Sequence, residues 1–190
     1  MLTKGKQEIK VISLERGEKL QVCGEYQILQ GYIICRTGNH LLKILKAGSF
    51  IIPEKDLTVG LVEYQAQRTA QVAFIPIVSA TDFLRKQTQA QQDIIQLFAN
   101  QLDLYALPIK ERVMALLYKL ACEIGEIKMD TCRIPMILTQ VEIARYIHCT
   151  REYLNSVRKV LVKEGWLDSG KNWVLLDWKR WGEHMPISER

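Results

Sequence analysis

The chain has 190 residues, 48% of them hydrophobic and 25% charged, enough to bury one large core or two small ones. Its net charge of +5 and pI near 8.9 lean toward anionic partners, but basic residues are interleaved with acidic ones throughout, which excludes a charged tail as the carrier of function. The longest apolar stretches, such as Ala73 to Val78, fall far short of the roughly 18 residues a membrane span needs, and the polar, Lys-containing start lacks a signal-peptide core, so a cytoplasmic protein is expected.

Up to about Val78 the chain is punctuated by Gly17, Gly24, Gly31, Gly38, Gly48 and Gly60. Short β-prone runs such as Tyr32-Ile33-Ile34-Cys35 and Val72-Ala73-Phe74-Ile75 lie between them, which predicts a small all-β unit over residues 1–79. Ala80 to Leu107 contains neither Gly nor Pro and is rich in Gln. There Ile94, Phe98, Leu102 and Tyr105 recur at helical spacing, with Ile95 and Leu97 widening the stripe. The spacing predicts a helix of about 17 residues from Ala90, roughly 25 Å long. Its stripe suits a dimer interface or packing within one chain.

Leu107-Pro108 breaks that helix, and Pro108 suits the first turn of another running to about Gly125. Val113, Leu116, Leu117, Leu120 and Ile124 give it one apolar face, and Gly125 offers a C-cap. Two β-prone runs, around Glu126 to Lys128 and Arg133 to Ile137, lead into the most informative stretch, Thr139 to Gly165.

That stretch opens with a Thr-x-x-Glu capping box, Thr139 to Glu142, and a short helix with Ile143, Ala144 and Ile147 facing inward. The small Ala144 stands where a second helix can cross closely. His148-Cys149-Thr150 is the size of turn that joins a helix-turn-helix pair, and Thr150 can cap the second helix. On that helix Leu154, Val157 and Leu161 face the core, whereas Arg151, Glu152, Asn155, Ser156 and Lys159 fall toward the other side. Arg bonds guanine bidentately, Asn suits adenine, Glu accepts from cytosine N4 and Ser donates or accepts, so Arg151, Glu152, Asn155 and Ser156 are candidate base-contacting residues in a major groove.

Beyond Gly165, Trp166-Leu167 and Trp173-Val174-Leu175-Leu176 flank Asp168-Ser169-Gly170-Lys171-Asn172, a hairpin with a Gly- and Asn-containing turn that would serve as the wing. Thr139, Arg145, Thr150, Lys159 and Lys171 are candidate contacts to the DNA backbone. On spacing alone an amphipathic helical hairpin with a solvated face explains the two helices equally well. The capping box, small crossing residue, short turn, polar helix start and following hairpin, in that order, favour the winged helix. A winged helix that docks a protein partner and reads no bases is the alternative from another class.

Five cysteines, Cys23, Cys35, Cys122, Cys132 and Cys149, include no Cys-x-x-Cys pair, which argues for reduced thiols over disulfides or zinc. A Cys23–Cys35 thiol switch is open if the β unit brings the two together. His40, His148 and His184 stand apart from metal-ligand spacings, and no cofactor is implied. Trp166, Trp173, Trp178 and Trp181 are expected to pack around the wing. No phosphate loop, Ser-His-Asp set or paired catalytic carboxylate supports an enzyme.

Ile134-Pro-Met-Ile-Leu-Thr-Gln-Val-Glu-Ile-Ala144, with Thr150-Arg-Glu and Lys163-Glu-Gly-Trp-Leu167, resembles the Crp/Fnr superfamily of bacterial transcription regulators. More loosely, Gly17-Glu18, Ile28 to Ile33 and Lys43 to Phe50 look like that family's β-roll. The resemblance implies an α+β fold: a shortened, jelly-roll-like sensor domain over 1–79, a dimerisation helix over 80–107 and a winged helix-turn-helix over 108–190. It implies a homodimer, joined through Ile94, Phe98, Leu102 and Tyr105, on a pseudo-palindromic double-stranded DNA site, with RNA polymerase as a further partner.

The chain departs from the family in places. Where cyclic-nucleotide binders carry a Gly-Glu pair and then an Arg, Phe50 is followed by Ile51-Ile52-Pro53-Glu54, and the next Arg is Arg68. Activity without a cyclic nucleotide is therefore expected, with gating by another small molecule or by thiol redox state left open. Relative to the family, the stretch between Phe83 and Arg112 is about three helical turns short. Ser156 replaces the base-contacting Arg common four positions after the Glu, and His148 occupies the turn position usually held by Gly.

Overall fold

The computed structural model describes residues 10–20, 24–52 and 62–185. Its elements are β1 (Lys10–Leu14), β2 (Glu25–Gln30), β3 (Tyr32–Thr37), β4 (His40–Lys46), β5 (Phe50–Ile51), β6 (Glu63–Ala66), β7 (Ala70–Ile75), α1 (Ala80–Ala106), α2 (Ile109–Ile124), β8 (Glu126–Lys128), β9 (Thr131–Ile134), α3 (Gln140–Ile147), α4 (Arg151–Lys163), β10 (Trp173–Leu176) and α5 (Trp178–His184). The chain divides into two units, Met1–Phe98 and Ala99–Arg190.

In the first unit two antiparallel sheets, in the orders β1-β7-β2-β5 and β4-β3-β6, enclose a core of Leu14, Tyr26, Ile28, Ile33, Leu45, Ile51, Ala66, Ala70 and Val72. Along β2 the buried side chains are Glu25, Tyr26 and Ile28, and along β7 they are Ala70, Val72 and Ala73. Ile33-Ile34-Cys35 on β3 is buried without a break, so both faces of that strand are covered. The turn between β2 and β3 depends on Gly31. Its φ is +87°, and a Cβ there would stand 2.7 Å from the Thr69 carbonyl oxygen. Cys23 and the Pro53–Glu54 pair lie outside the described residues, as does Gly60.

The helix expected from Ala90 is longer, starting at Ala80 and running 27 residues, about 40 Å at the standard rise. Residues 80–89 lack the apolar stripe that marks the rest of the helix. They are held instead by polar contacts, among them Arg85–Asp82 at 2.9 Å and Lys86–Glu25 at 3.0 Å, the second reaching from the helix to β2. The expected dimer stripe divides into two faces. Ile94 is buried (6% exposed), while Ile95 (68%) and Leu102 (72%) point outward and Phe98 and Tyr105 are half-buried.

The second unit packs α2, α3 and α4 with the three-stranded sheet β10-β9-β8. Val113, Leu116, Leu117, Leu120 and Ile124 form the expected face of α2, joined by Met114 and Ala121. Pro108 sits at the N-cap rather than inside the first turn. Gly125 caps α2 in an extended conformation rather than a left-handed one, and its smallness matters for packing: a Cβ would lie 2.3 Å from the Ala121 carbonyl oxygen and 2.4 Å from Cys132 Sγ. The wing's strand, β10, pairs with β9 from Trp173↔Ile134 to Leu176↔Thr131. The opposite flank of the expected hairpin is reduced to an isolated Leu167↔Leu175 bridge.

Candidate nucleic-acid interface

Both helices of the pair are fixed locally at their ends. At α3, Thr139 Oγ1 accepts from the Glu142 backbone N–H (3.2 Å) and Glu142 Oε2 accepts from the Thr139 N–H (2.7 Å), the reciprocal pairing that the Thr-x-x-Glu spacing predicts. At α4, Thr150 Oγ1 accepts from the Tyr153 N–H (3.1 Å). The turn between them passes through His148 at φ 59°, ψ 50°, a left-handed conformation costly for a residue with a Cβ. The edge-on packing of its ring against Tyr105, centroids 5.1 Å apart, contributes the opposite way.

The inward faces are those expected: Ile143, Ala144 and Ile147 on α3, with Tyr146 added, and Leu154, Val157 and Leu161 on α4. Gly165, at φ +74°, ends α4. The Trp166 N–H donates to Leu161 O and the Gly165 N–H to Val162 O, a paired C-terminal cap that turns the chain into the wing. Lys110 and Glu164 form an ion pair at 2.7 Å between α2 and the end of α4, a half-exposed contact worth about 0–1 kcal/mol.

Burying those stripes leaves the N-terminal face of α4 in solvent. Arg151, Glu152 and Ser156 are exposed and Asn155 is half-buried. Ser156 Oγ donates to the Glu152 carbonyl oxygen (3.1 Å), so its hydrogen is committed to its own helix. Asn155, Lys159 and Lys171 meet along an open groove of about 590 Å³ between α4 and the wing, which Arg158 and Gly170 also line. Thr139, Arg145 and Thr150 are exposed around the helix ends, the two threonines already acting as caps.

Two further arginines, Arg158 and Arg112, hold the unit together and carry no motif that marks them in the sequence. Arg158 Nη2 donates to the wing carbonyls of Gly170 and Asn172, the latter at 3.0 Å, and its guanidinium lies 4.6 Å from the Trp173 ring centroid. Arg112 Nη1 donates to Ile147 O (3.0 Å), and its Nη2 donates to Tyr105 O (3.2 Å) and Leu107 O (3.0 Å). The only sequence signal for either is an Arg beside an apolar stripe; the acceptors are backbone atoms that any sequence supplies.

The tryptophans pack around the wing. Trp181 is buried edge-on to Trp166 (5.2 Å) and donates its Nε1–H to Trp166 O (3.2 Å), and Trp178 lies against Tyr118. Burial pushes the Cys132 thiol up to about 11 and raises Cys122 and Cys149 above the ordinary value, so these thiols keep their protons at neutral pH.

In the first unit a cavity of about 520 Å³ lies between the β strands and α1, with Leu45, Ile51, Ile94 and Leu97 on its apolar side. Lys43, Arg85 and Lys86 also line it, as do Phe50, Ile51 and Ile52. Asp82 holds Arg85, and Glu25 and Asp82 hold Lys86. Among the described residues no group of three or more His, Cys, Asp or Glu could hold a metal ion, and no helix is long and apolar enough to cross a membrane.

Residues 111–180 match the family of Crp-like helix-turn-helix domains. No curated protein matches the chain. Among solved structures, the chain is similar to a Crp/Fnr-family transcriptional regulator of Thermus thermophilus, with 20% identity and TM-score 0.69 over 94% of this chain and 99% of that one. It is similar also to FixK2 of Bradyrhizobium japonicum, with 14% identity and TM-score 0.70 over 96% and 100% of the two chains. A cyclic nucleotide-binding domain containing protein of Listeria monocytogenes matches with 16% identity and TM-score 0.71 over 94% of each.

Proposed function

We infer that this chain, which carries a Crp-like helix-turn-helix domain on the fold of Crp/Fnr regulators, is a sequence-specific DNA-binding transcription regulator without enzymatic activity. The observation that carries the reading is the N-terminal face of α4. Four side chains able to hydrogen-bond base edges, Arg151, Glu152, Asn155 and Ser156, stand on a helix whose other side is locked into the core. Lys159 and Lys171 beside them supply charge for phosphates.

The protein acts as a homodimer on a two-fold symmetric site and needs no cyclic nucleotide. Support for the second point is that the chain after Phe50 runs Ile51-Ile52-Pro53-Glu54 without an Arg, and that Arg85 and Lys86, two of the three cations at the first unit's cavity, are already held by acidic neighbours. Selection from a random duplex library, with purified reduced protein and no ligand, tests the whole reading. A symmetric consensus bound far above random DNA, with affinity unchanged by cyclic AMP or cyclic GMP, is the expected result. Sequence-blind, salt-sensitive binding alone would overturn it. RNA polymerase is the further partner this function calls for.

Support for the dimer comes from the outward face of α1. Ile95, Phe98, Leu102 and Tyr105 follow the alternating three- and four-residue spacing of a helix-pair seam, and Ile95 and Leu102 are exposed. Ile94, which spacing alone assigns to the seam, faces its own β unit instead. Ile95→Lys with Leu102→Lys is expected to give a monomer by light scattering, whereas Ile94→Ala should lower the melting temperature and leave a dimer. A dimer persisting in the double lysine variant would exclude this seam.

A further inference from the structure

We propose that Arg158 is a positioning residue that pins the wing to α4, so that Lys171 meets the DNA backbone from a fixed place beside Asn155 and Lys159. The proposal rests on the DNA-binding reading above. Strand pairing ends before the wing tip: the last hydrogen bond across it runs from the Asp168 N–H to Val174 O (3.0 Å), and residues 168–172 belong to no strand. Within the tip, Asp168 Oδ2 accepts from the Gly170 N–H (2.8 Å), which shapes the turn but ties it to nothing outside itself.

The ties to α4 come from Arg158. One guanidinium nitrogen bonds the carbonyls of Gly170 and Asn172, the residues on either side of Lys171, and the guanidinium carbon lies 4.6 Å from the ring centroid of Trp173 at the base of β10. Those two carbonyls bracket the one Lys in the tip, so holding them sets where its side chain begins. Lys171 itself is exposed and shares the open groove with Asn155 and Lys159.

A cation spent on backbone carbonyls is poorly placed to act as a phosphate contact of its own. This separates the proposal from the simpler idea that Arg158 is one more basic residue touching DNA, which predicts independent losses for Arg158 and Lys171. The brace predicts coupled ones.

The test uses the full chain as wild type, R158A, R158K, K171A and the R158A/K171A double variant. Amide hydrogen exchange without DNA is expected to quicken about ten-fold or more in R158A at Asp168 and Gly170, whose N–H groups donate to Val174 O and Asp168 Oδ2, to recover in part in R158K, and to stay at the wild-type rate in K171A. On the selected duplex, K171A should weaken binding about three- to ten-fold and reduce the salt slope by about 0.9. In the R158A background the same change should cost less than about two-fold. Unchanged exchange in R158A would overturn the brace, and additive losses would overturn its role in placing Lys171. If the wild-type protein selects no sequence, the DNA-binding reading fails, and the exchange comparison alone decides whether Arg158 fixes the wing.

Discussion

Replacing Arg151 with alanine is expected to lower affinity for the selected duplex by roughly ten- to a hundred-fold while leaving binding to random DNA nearly unchanged. Arg151 occupies the first position of α4, exposed, at the end of the helix that the proposed reading brings first into a groove. Thr150 caps that end, so the guanidinium projects from a fixed backbone. Ordering the side-chain torsions offsets part of the gain from bonding a guanine, and removing the fork leaves the acceptors of one base pair unread. Glu152→Ala should relax preference at a neighbouring step, and the double variant should approach sequence-blind binding. Titration of the selected and a shuffled duplex by fluorescence anisotropy reads both effects. Full preference retained in the double variant would favour the protein-docking alternative.

Arg112→Ala is expected to destabilise the second unit by about 2–3 kcal/mol, a fall of roughly 8–24 °C in its melting temperature. The half-buried guanidinium serves three carbonyls at once: Ile147 at the end of α3, Tyr105 at the end of α1 and Leu107 in the link to α2. It lies 5.4 Å from the centre of the Tyr105 ring. Truncation strips all three oxygens of a charged donor. Lysine, with one compact ammonium, cannot span them, so Arg112→Lys should recover less than half of the loss. Calorimetry on the full chain resolves this; a change below about 0.5 kcal/mol would mean that water serves those carbonyls equally well.

Features set by near neighbours along the chain are legible in the amino-acid sequence itself. The Thr139–Glu142 box, the Thr150 cap, the apolar sides of α2, α3 and α4 and the Gly165 stop all follow from groups within about one helical turn of each other. What depends on partners distant along the chain is not legible there. Ile94 and Ile95 are adjacent and chemically identical, and only the presence of a β unit on one side of α1 makes one a core residue and leaves the other exposed. The first ten residues of α1 carry little apolar signal because their partners are charges, including Glu25 far upstream. Arg158 and Arg112 escape notice for a related reason: a backbone carbonyl leaves no mark on the residue types around it. Ser156 is exposed as its helical position predicts, but its hydroxyl bonds its own helix, which leaves it an acceptor toward a base.

The contact between Gly125 and Cys132 has a consequence for chemistry at the sulfur. If a methyl group on Gly125 would press to 2.4 Å of Cys132 Sγ, an oxygen or an alkyl group added to that sulfur meets the same wall from the other side. Cys132 is fully buried and its thiol is held protonated, while Cys122, ten residues earlier, is exposed. A thiol-directed reagent therefore reaches Cys122 in the folded chain and reaches Cys132 only when α2 and β9 part. The sequence thus carries its own clock for the opening of that junction, with the exposed cysteine as its internal reference.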